Sequence, residues 1–231
     1  MIEGKYNMII YVVTDSEEKA RSAGFYENKF ILEKISGDIC LIVRYDQLNL
    51  KMLRKLTPLA VCHSGCGTPF DGRDVLRHAA YKEAVTKWEG PQIGFCGGHQ
   101  IIAHMFGGKL DHMRKLRDCD ADHNPGYYAG WFKEWGIYPV RIIKHDPLFE
   151  GLGKIIRVQE FHGDEVKKLG SDLELLASSE NCRIQAFRHR EKPIYGTQFH
   201  PEAARKEYPD GFRILRNFFR IAREAERRNK K

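Results

Sequence analysis

A cysteine set among glycines, Gly94-Phe95-Cys96-Gly97-Gly98-His99-Gln100, directly follows the short apolar run Pro91 to Phe95. A thiol presented at a sharp strand-to-helix turn needs small neighbours, because the backbone there is strained and bulky flanks would bury the sulfur. Downstream, Gln100 to Phe106 reads as a helix closed by Gly107-Gly108. Cys96 therefore sits at the positive end of a helix, which stabilises a thiolate. A nucleophile needs a base, and the base an orienting group. Ile194 to Glu202 supplies both as His200-Pro201-Glu202. In an extended chain His200 and Glu202 face the same side while Phe199 points into the core, and Pro201 stiffens the pair.

The elements that must carry these residues alternate. Asn7 to Thr14 reads as a strand and Asp15 to Phe30 as a helix capped by Asp15 or Ser16. Cys40 to Val43 and Leu59 to Cys62 read as buried strands around a short helix from Asp46 to Leu56, and Asp71 to Trp88 as a helix before the strand that delivers Cys96. This order predicts an α/β fold, flavodoxin-like and doubly wound, with a mostly parallel sheet and helices on both faces. The C-terminal half is richer in strands: Gly136 to Ile143, Ile155 to Gln159, Leu173 to Ala177, Arg183 to Arg188 and Ile194 to Phe199. A last helix, Asp210 to Arg228, would bury Phe212, Leu215, Phe219 and Ala222.

With 231 residues and 42% hydrophobic content, one domain over residues 1–231 is expected. No apolar run approaches membrane-spanning length and Met1 to Lys5 lacks a signal-peptide pattern, so a soluble, cytoplasmic chain is expected. The six cysteines are too irregularly spaced for a disulfide framework. Cys62-x-x-x-Cys66 has no matching second pair, so neither a metal nor a cofactor is expected. The net charge of +7 is spread, with one concentration from Arg220 to Lys231 that reads as a solvated helix face and not as a nucleic-acid site.

Gly94-x-Cys96-x-Gly98-x-Gln100, followed about a hundred residues later by His200-Pro201-Glu202, resembles the class I (triad) glutamine amidotransferase family. Phe161-His162-Gly163-Asp164-Glu165-Val166 resembles its Ser-His-Gly-Asp segment, with Phe161 in place of serine, and Asp146 to Leu152 resembles a stretch often found before it. The resemblance implies a Cys96, His200, Glu202 triad that hydrolyses L-glutamine through a γ-glutamyl thioester. It also implies an oxyanion hole from backbone N–H groups of Gly65, Cys66 and Gly97, and glutamine-holding positions at Gln100, Phe161, His162 and Gly163. Cys66 and the following Gly67-Thr68-Pro69 depart from the usual Ser-Gly-Gly or Ser-Gly-Ser turn, leaving open which N–H donates. In the family, ammonia passes to a synthetase, here implied as a separate subunit; guanylate synthesis is one candidate. The same triad would serve an autonomous γ-glutamyl peptidase or hydrolase, and the same fold a non-catalytic regulatory module. Asp111 to Trp135, with Tyr127, Tyr128, Trp131 and Trp135, reads as an insertion: a packed surface loop, a lid or a docking element.

Overall fold

The first strand, β1 (Met8–Val13), builds two cores at once. Its side chains alternate, so Ile9 and Tyr11 enter one buried cluster while Ile10 and Val12 enter another. A strand apolar on both faces belongs in a sheet covered on both sides. A computed structural model describes residues 7–229. After β1 come α1 (Ala23–Ser36), β2 (Ile39–Arg44), α2 (Leu50–Leu56), β3 (Ala60–His63), α3 (Ala79–Lys87), β4 (Gln92–Phe95) and α4 (Gly97–Met105). Then follow β5 (Lys109–His112), β6 (Glu134–Ile142), β7 (Ile155–His162), β8 (Asp164–Lys168), β9 (Leu173–Ser178), β10 (Ala186–His189), β11 (Ile194–Thr197) and α5 (Asp210–Asn229).

Nine strands form one sheet in the order β2-β1-β3-β4-β11-β10-β9-β6-β7. The pairings from β2 through β11 are parallel, and β10, β9, β6 and β7 extend the sheet antiparallel. This is the expected α/β architecture, with the strand-rich C-terminal half forming the antiparallel extension. Leu32 of α1 and Ile214, Leu215 and Phe218 of α5 pack on one face; Leu53, Tyr81, Val85, Ile101 and Ile102 of α2, α3 and α4 pack on the other. On α5 the buried stripe includes Leu215, Phe219 and Ala222 as expected, whereas Phe212 is only partly buried.

Three local differences have physical causes. The helix expected from Asp15 begins only at Ala23, because the Asp15 carboxylate accepts from Gly67 N (2.8 Å) and Ser16 N (2.7 Å) instead of capping a helix. It runs on to Ser36 and stops at Gly37, whose φ of +76° suits glycine. The helix expected from Asp71 is confined to Ala79–Lys87: Arg73 donates to Thr14 O and Cys66 Sγ, the Tyr45 hydroxyl donates to Asp74, and the His78 ring caps the helix by accepting from Tyr81 N. A two-stranded sheet, β5 with β8, adds to the expected elements, because its register joins segments more than fifty residues apart. Met1 to Lys5, which lack a signal-peptide pattern, and Lys230 and Lys231 of the basic tail lie outside the described residues. Among the described residues no helix is long and apolar enough to cross a membrane.

Candidate active site

Three parallel strands converge on the site. β4 ends at Phe95, and Cys96 makes the turn into α4 with φ +46° and ψ −103°, a strained conformation of the kind a nucleophile elbow imposes. Cys96 N donates to Thr197 O of β11 (2.8 Å), and Gly98 N to Ser64 O just beyond β3 (2.9 Å), so the elbow is tied to both flanking strands. Close approach explains two glycines. A Cβ on Gly97 would stand 2.5 Å from Cys66 Cβ, and one on Gly65 would stand 2.6 Å from His200 Cε1. The turn after β3 is thus pressed between the elbow and the imidazole.

His200 lies beyond β11, and its backbone N donates to Gln159 O of β7 (2.9 Å). The expectation of an extended His200-Pro201-Glu202 is corrected: β11 ends at Thr197, and Pro201–Ala203 form one turn of 3-10 helix. The pair nevertheless meets, with His200 Nδ1 2.8 Å from Glu202 Oε1. Glu202 is 1% exposed and His200 15% exposed on their side chains, so the carboxylate is sealed inside while the imidazole reaches the cavity. Burial opposes a charge on His200, but Glu202 and Cys96 beside it outweigh burial and hold its pKa well above the usual imidazole range. Phe199 points into the core as expected.

Cys96, His200 and Glu202 share a cavity of about 660 Å³ with Gly65, Cys66 and Phe161. Gly67 N–H is committed to Asp15, which leaves Gly65 and Cys66 as the members of that turn beside the thiol. The Phe161 ring lies 5.7 Å from the His200 ring and 5.0 Å from Trp135. Gln100, His162 and Gly163 do not line the cavity. Gln100 is buried and donates from Nε2 to Asp164 O (2.7 Å) and Gln198 Oε1 (3.1 Å). A Cβ on Gly163 would meet Lys133, Tyr128 and Tyr127 side chains at 3.2 to 3.4 Å.

His162 is enclosed by groups that sequence reasoning missed. Its Nδ1 meets Asp164 O at 3.0 Å, so that nitrogen carries a proton, and its Nε2 lies 2.9 Å from Glu134 Oε2 and 3.2 Å from Glu160 Oε2. Asn181 and Gln185 also donate to Glu134. The ligating atoms of Glu134, Glu160 and His162 lie within 4.8 Å of one another, close enough for a metal ion. A second proton on the imidazole satisfies the same geometry. Burial opposes charge on His162, but the bonds and charges of Glu134 and Glu160 outweigh it and raise its pKa well above the usual range. Burial pushes Glu160 up to about 7. Cys62-His63 belongs to the interior: Gln92 Nε2 donates to Val85 O, which turns Gln92 Oε1 toward His63 Nε2 (3.1 Å), and burial lowers His63 to about 4.

The aromatic segment after β5 is a wall of the cavity. Asn124, Gly126, Tyr127, Tyr128 and Trp135 line it, together with Asp15, Lys19 and Phe25. Tyr128 Oη donates to Asp164 Oδ2 (2.9 Å), and the buried Lys133 ammonium holds the segment through Tyr128 O, Trp131 O and Asp122 Oδ1. The Trp131 ring meets the His112 ring and the Lys115 ammonium. Of these features, only the aromatic content is legible in the sequence.

The chain belongs to the class I glutamine amidotransferase family, whose model, described as glutamine amidotransferase class-I, matches residues 40–222. It is accordingly an enzyme, a cysteine amidohydrolase of the glutamine amidotransferase class. Among its relatives, the glutamine-hydrolyzing GMP synthase subunit of Pyrococcus abyssi is 35% identical over 188 residues, covering 79% of this chain and 90% of that one. The protein of the same name from Methanothermobacter thermautotrophicus is 33% identical over 184 residues, covering 78% and 89%. A crystal structure assigned to the corresponding GMP synthase subunit of Thermoplasma acidophilum superposes with a TM-score of 0.77 at 28% identity, over 99% of this chain and 100% of the other. A glutamine amidotransferase of Thermotoga maritima shares the fold, with a TM-score of 0.62 at 17% identity over 97% of this chain and 86% of that one.

Proposed function

We propose that this chain is the glutaminase subunit of a two-subunit amidotransferase and that it feeds ammonia to a separate nucleotide-aminating synthetase, as the naming of its relatives as glutamine-hydrolyzing subunits of GMP synthase implies for them. The observation that carries the reading is the meeting of the Cys96 elbow and the hydrogen-bonded His200–Glu202 pair in one cavity. The Cys96 sulfur attacks the side-chain amide carbon of L-glutamine, and the oxyanion that forms is held by backbone N–H groups of Gly65 or Cys66 and Gly97. The C–N bond then breaks, with His200 giving its proton to the departing ammonia. Water attacks the γ-glutamyl thioester as His200 takes its proton, and glutamate leaves. Glu202 holds the imidazole throughout. Phe161 forms a wall of the glutamine site, His162 and Gly163 continue the chain beyond it, and Gln100 donates to Asp164 O at the end of that segment.

The cavity supports a second reading. At about 660 Å³ it is roomier than one glutamine requires, so a γ-glutamyl peptide is the alternative substrate for the same thiol.

Glutamate formation by the isolated chain is expected to be slow and to rise about tenfold or more when the separately purified synthetase and its nucleotide substrates are added, a coupling within the ordinary range between sites. A fast isolated chain that ignores the synthetase would favour the autonomous hydrolase. Because Tyr127 and Tyr128 line the cavity, replacing them should alter hydrolysis itself and not only the response to a partner.

A further inference from the structure

We infer that Gln198 is a catalytic residue that donates an N–H to the Cys96 sulfur, and that Gln100 is the positioning residue that turns the Gln198 amide for that purpose. This rests on the reading of Cys96 as nucleophile. One atom fixes the rest. Asp164 O is a carbonyl oxygen and can only accept, so the group 2.7 Å from it must be the nitrogen end of the Gln100 amide. That nitrogen has a second hydrogen, and Gln198 lies 3.1 Å away, so Gln198 must present its oxygen. With its oxygen so engaged, Gln198 turns its NH2 group to Cys96 Sγ, at 3.6 Å. The amide orientations of both glutamines, ordinarily ambiguous, are therefore set by one backbone carbonyl.

The arrangement matters because the sulfur has few partners. The sulfur also lies 3.8 Å from Phe161 O, an acceptor that suits a thiol but repels a thiolate. Gln198 is fully buried, its backbone N held by Gln185 O (2.8 Å), so its amide cannot trade the sulfur for water. A hydrogen bond to a charged acceptor in such surroundings is stronger than one between neutral groups. The N–H stabilises the thiolate before attack and helps keep it from reprotonating while His200 holds the proton. Because Asp164 follows His162-Gly163, the chain Asp164, Gln100, Gln198, Cys96 also joins that segment to the reacting atom.

The test reads the sulfur directly and needs no glutamine. The rate of alkylation of Cys96 by iodoacetamide is followed against pH by mass spectrometry of its peptide, in wild type and in Gln198→Met, which keeps length and loses the donor. The expected result is a profile displaced upward by about one pH unit, together with a loss of about tenfold in kcat and little change in KM. Gln198→Glu, which still accepts from Gln100 but sets a carboxylate against the sulfur, should displace it further. Should neither variant fold, Gln100→Met, which frees the Gln198 amide to turn, decides by the same readout, with a smaller displacement expected. A folded variant whose alkylation profile superimposes on that of wild type overturns the proposal. Activity retained by Cys96→Ala would instead overturn the nucleophile, a different failure with a different signature.

Discussion

Replacing Cys96 by alanine is expected to lower ammonia release from glutamine by about 10⁴-fold or more, since a missing nucleophile leaves only binding and oxyanion stabilisation. The loss should fall on kcat, because the sulfur forms a bond in the reaction and the cavity walls remain. Stability should change little. The strained φ of +46° at position 96 is imposed by the ties of the elbow to β11 and to Ser64, which are backbone bonds that alanine keeps. Side-by-side ammonia assays and thermal unfolding check this, and near-normal turnover in a folded Cys96→Ala chain would remove Cys96 from the mechanism.

His200→Ala should be nearly as damaging, because members of a catalytic unit do not contribute additively. Glu202→Gln should cost less, about 10²- to 10⁴-fold, since the imidazole remains but its orienting charge is gone. The pH profile separates the two roles. In the folded chain Glu202 and Cys96 raise the proton affinity of His200 against the effect of burial, so the imidazolium persists toward high pH. Removing the Glu202 charge leaves burial in place, and the imidazolium then loses its proton at lower pH. The alkaline limb of kcat/KM should therefore move to lower pH in Glu202→Gln. An unmoved limb would mean that Glu202 is structural only.

The parts of this site legible in the sequence are those whose chemistry depends on near neighbours. Cys96 among its glycines and His200 two residues before Glu202 are local patterns, and the alternating strands and helices that bring them together follow from hydrophobic periodicity. What stayed hidden depends on contacts far apart in the chain. Asp15 reads as a helix cap, yet its carboxylate serves Gly67 more than fifty residues away. Gln100 reads as a substrate ligand by resemblance, but its amide nitrogen is committed to Asp164 and Gln198. Glu134 and Glu160 carry no motif at all, and only the pairing of β6 with β7 places Glu134 opposite His162. The aromatic segment is visible as a composition, whereas its place beside Cys96 depends on Lys133 and Asp164, two charges that nothing local marks as anchors.

The most direct test is a comparison of kcat/KM for free L-glutamine and for a γ-glutamyl dipeptide, in wild type and in Cys96→Ala, with the synthetase present. Glutamine is predicted to be the better substrate, with glutamate matched by the sum of free ammonia and aminated product and all of them vanishing with the Cys96 sulfur. A higher kcat/KM for the dipeptide, or ammonia release that survives in Cys96→Ala, would contradict the reading of this chain as a glutaminase that works through Cys96.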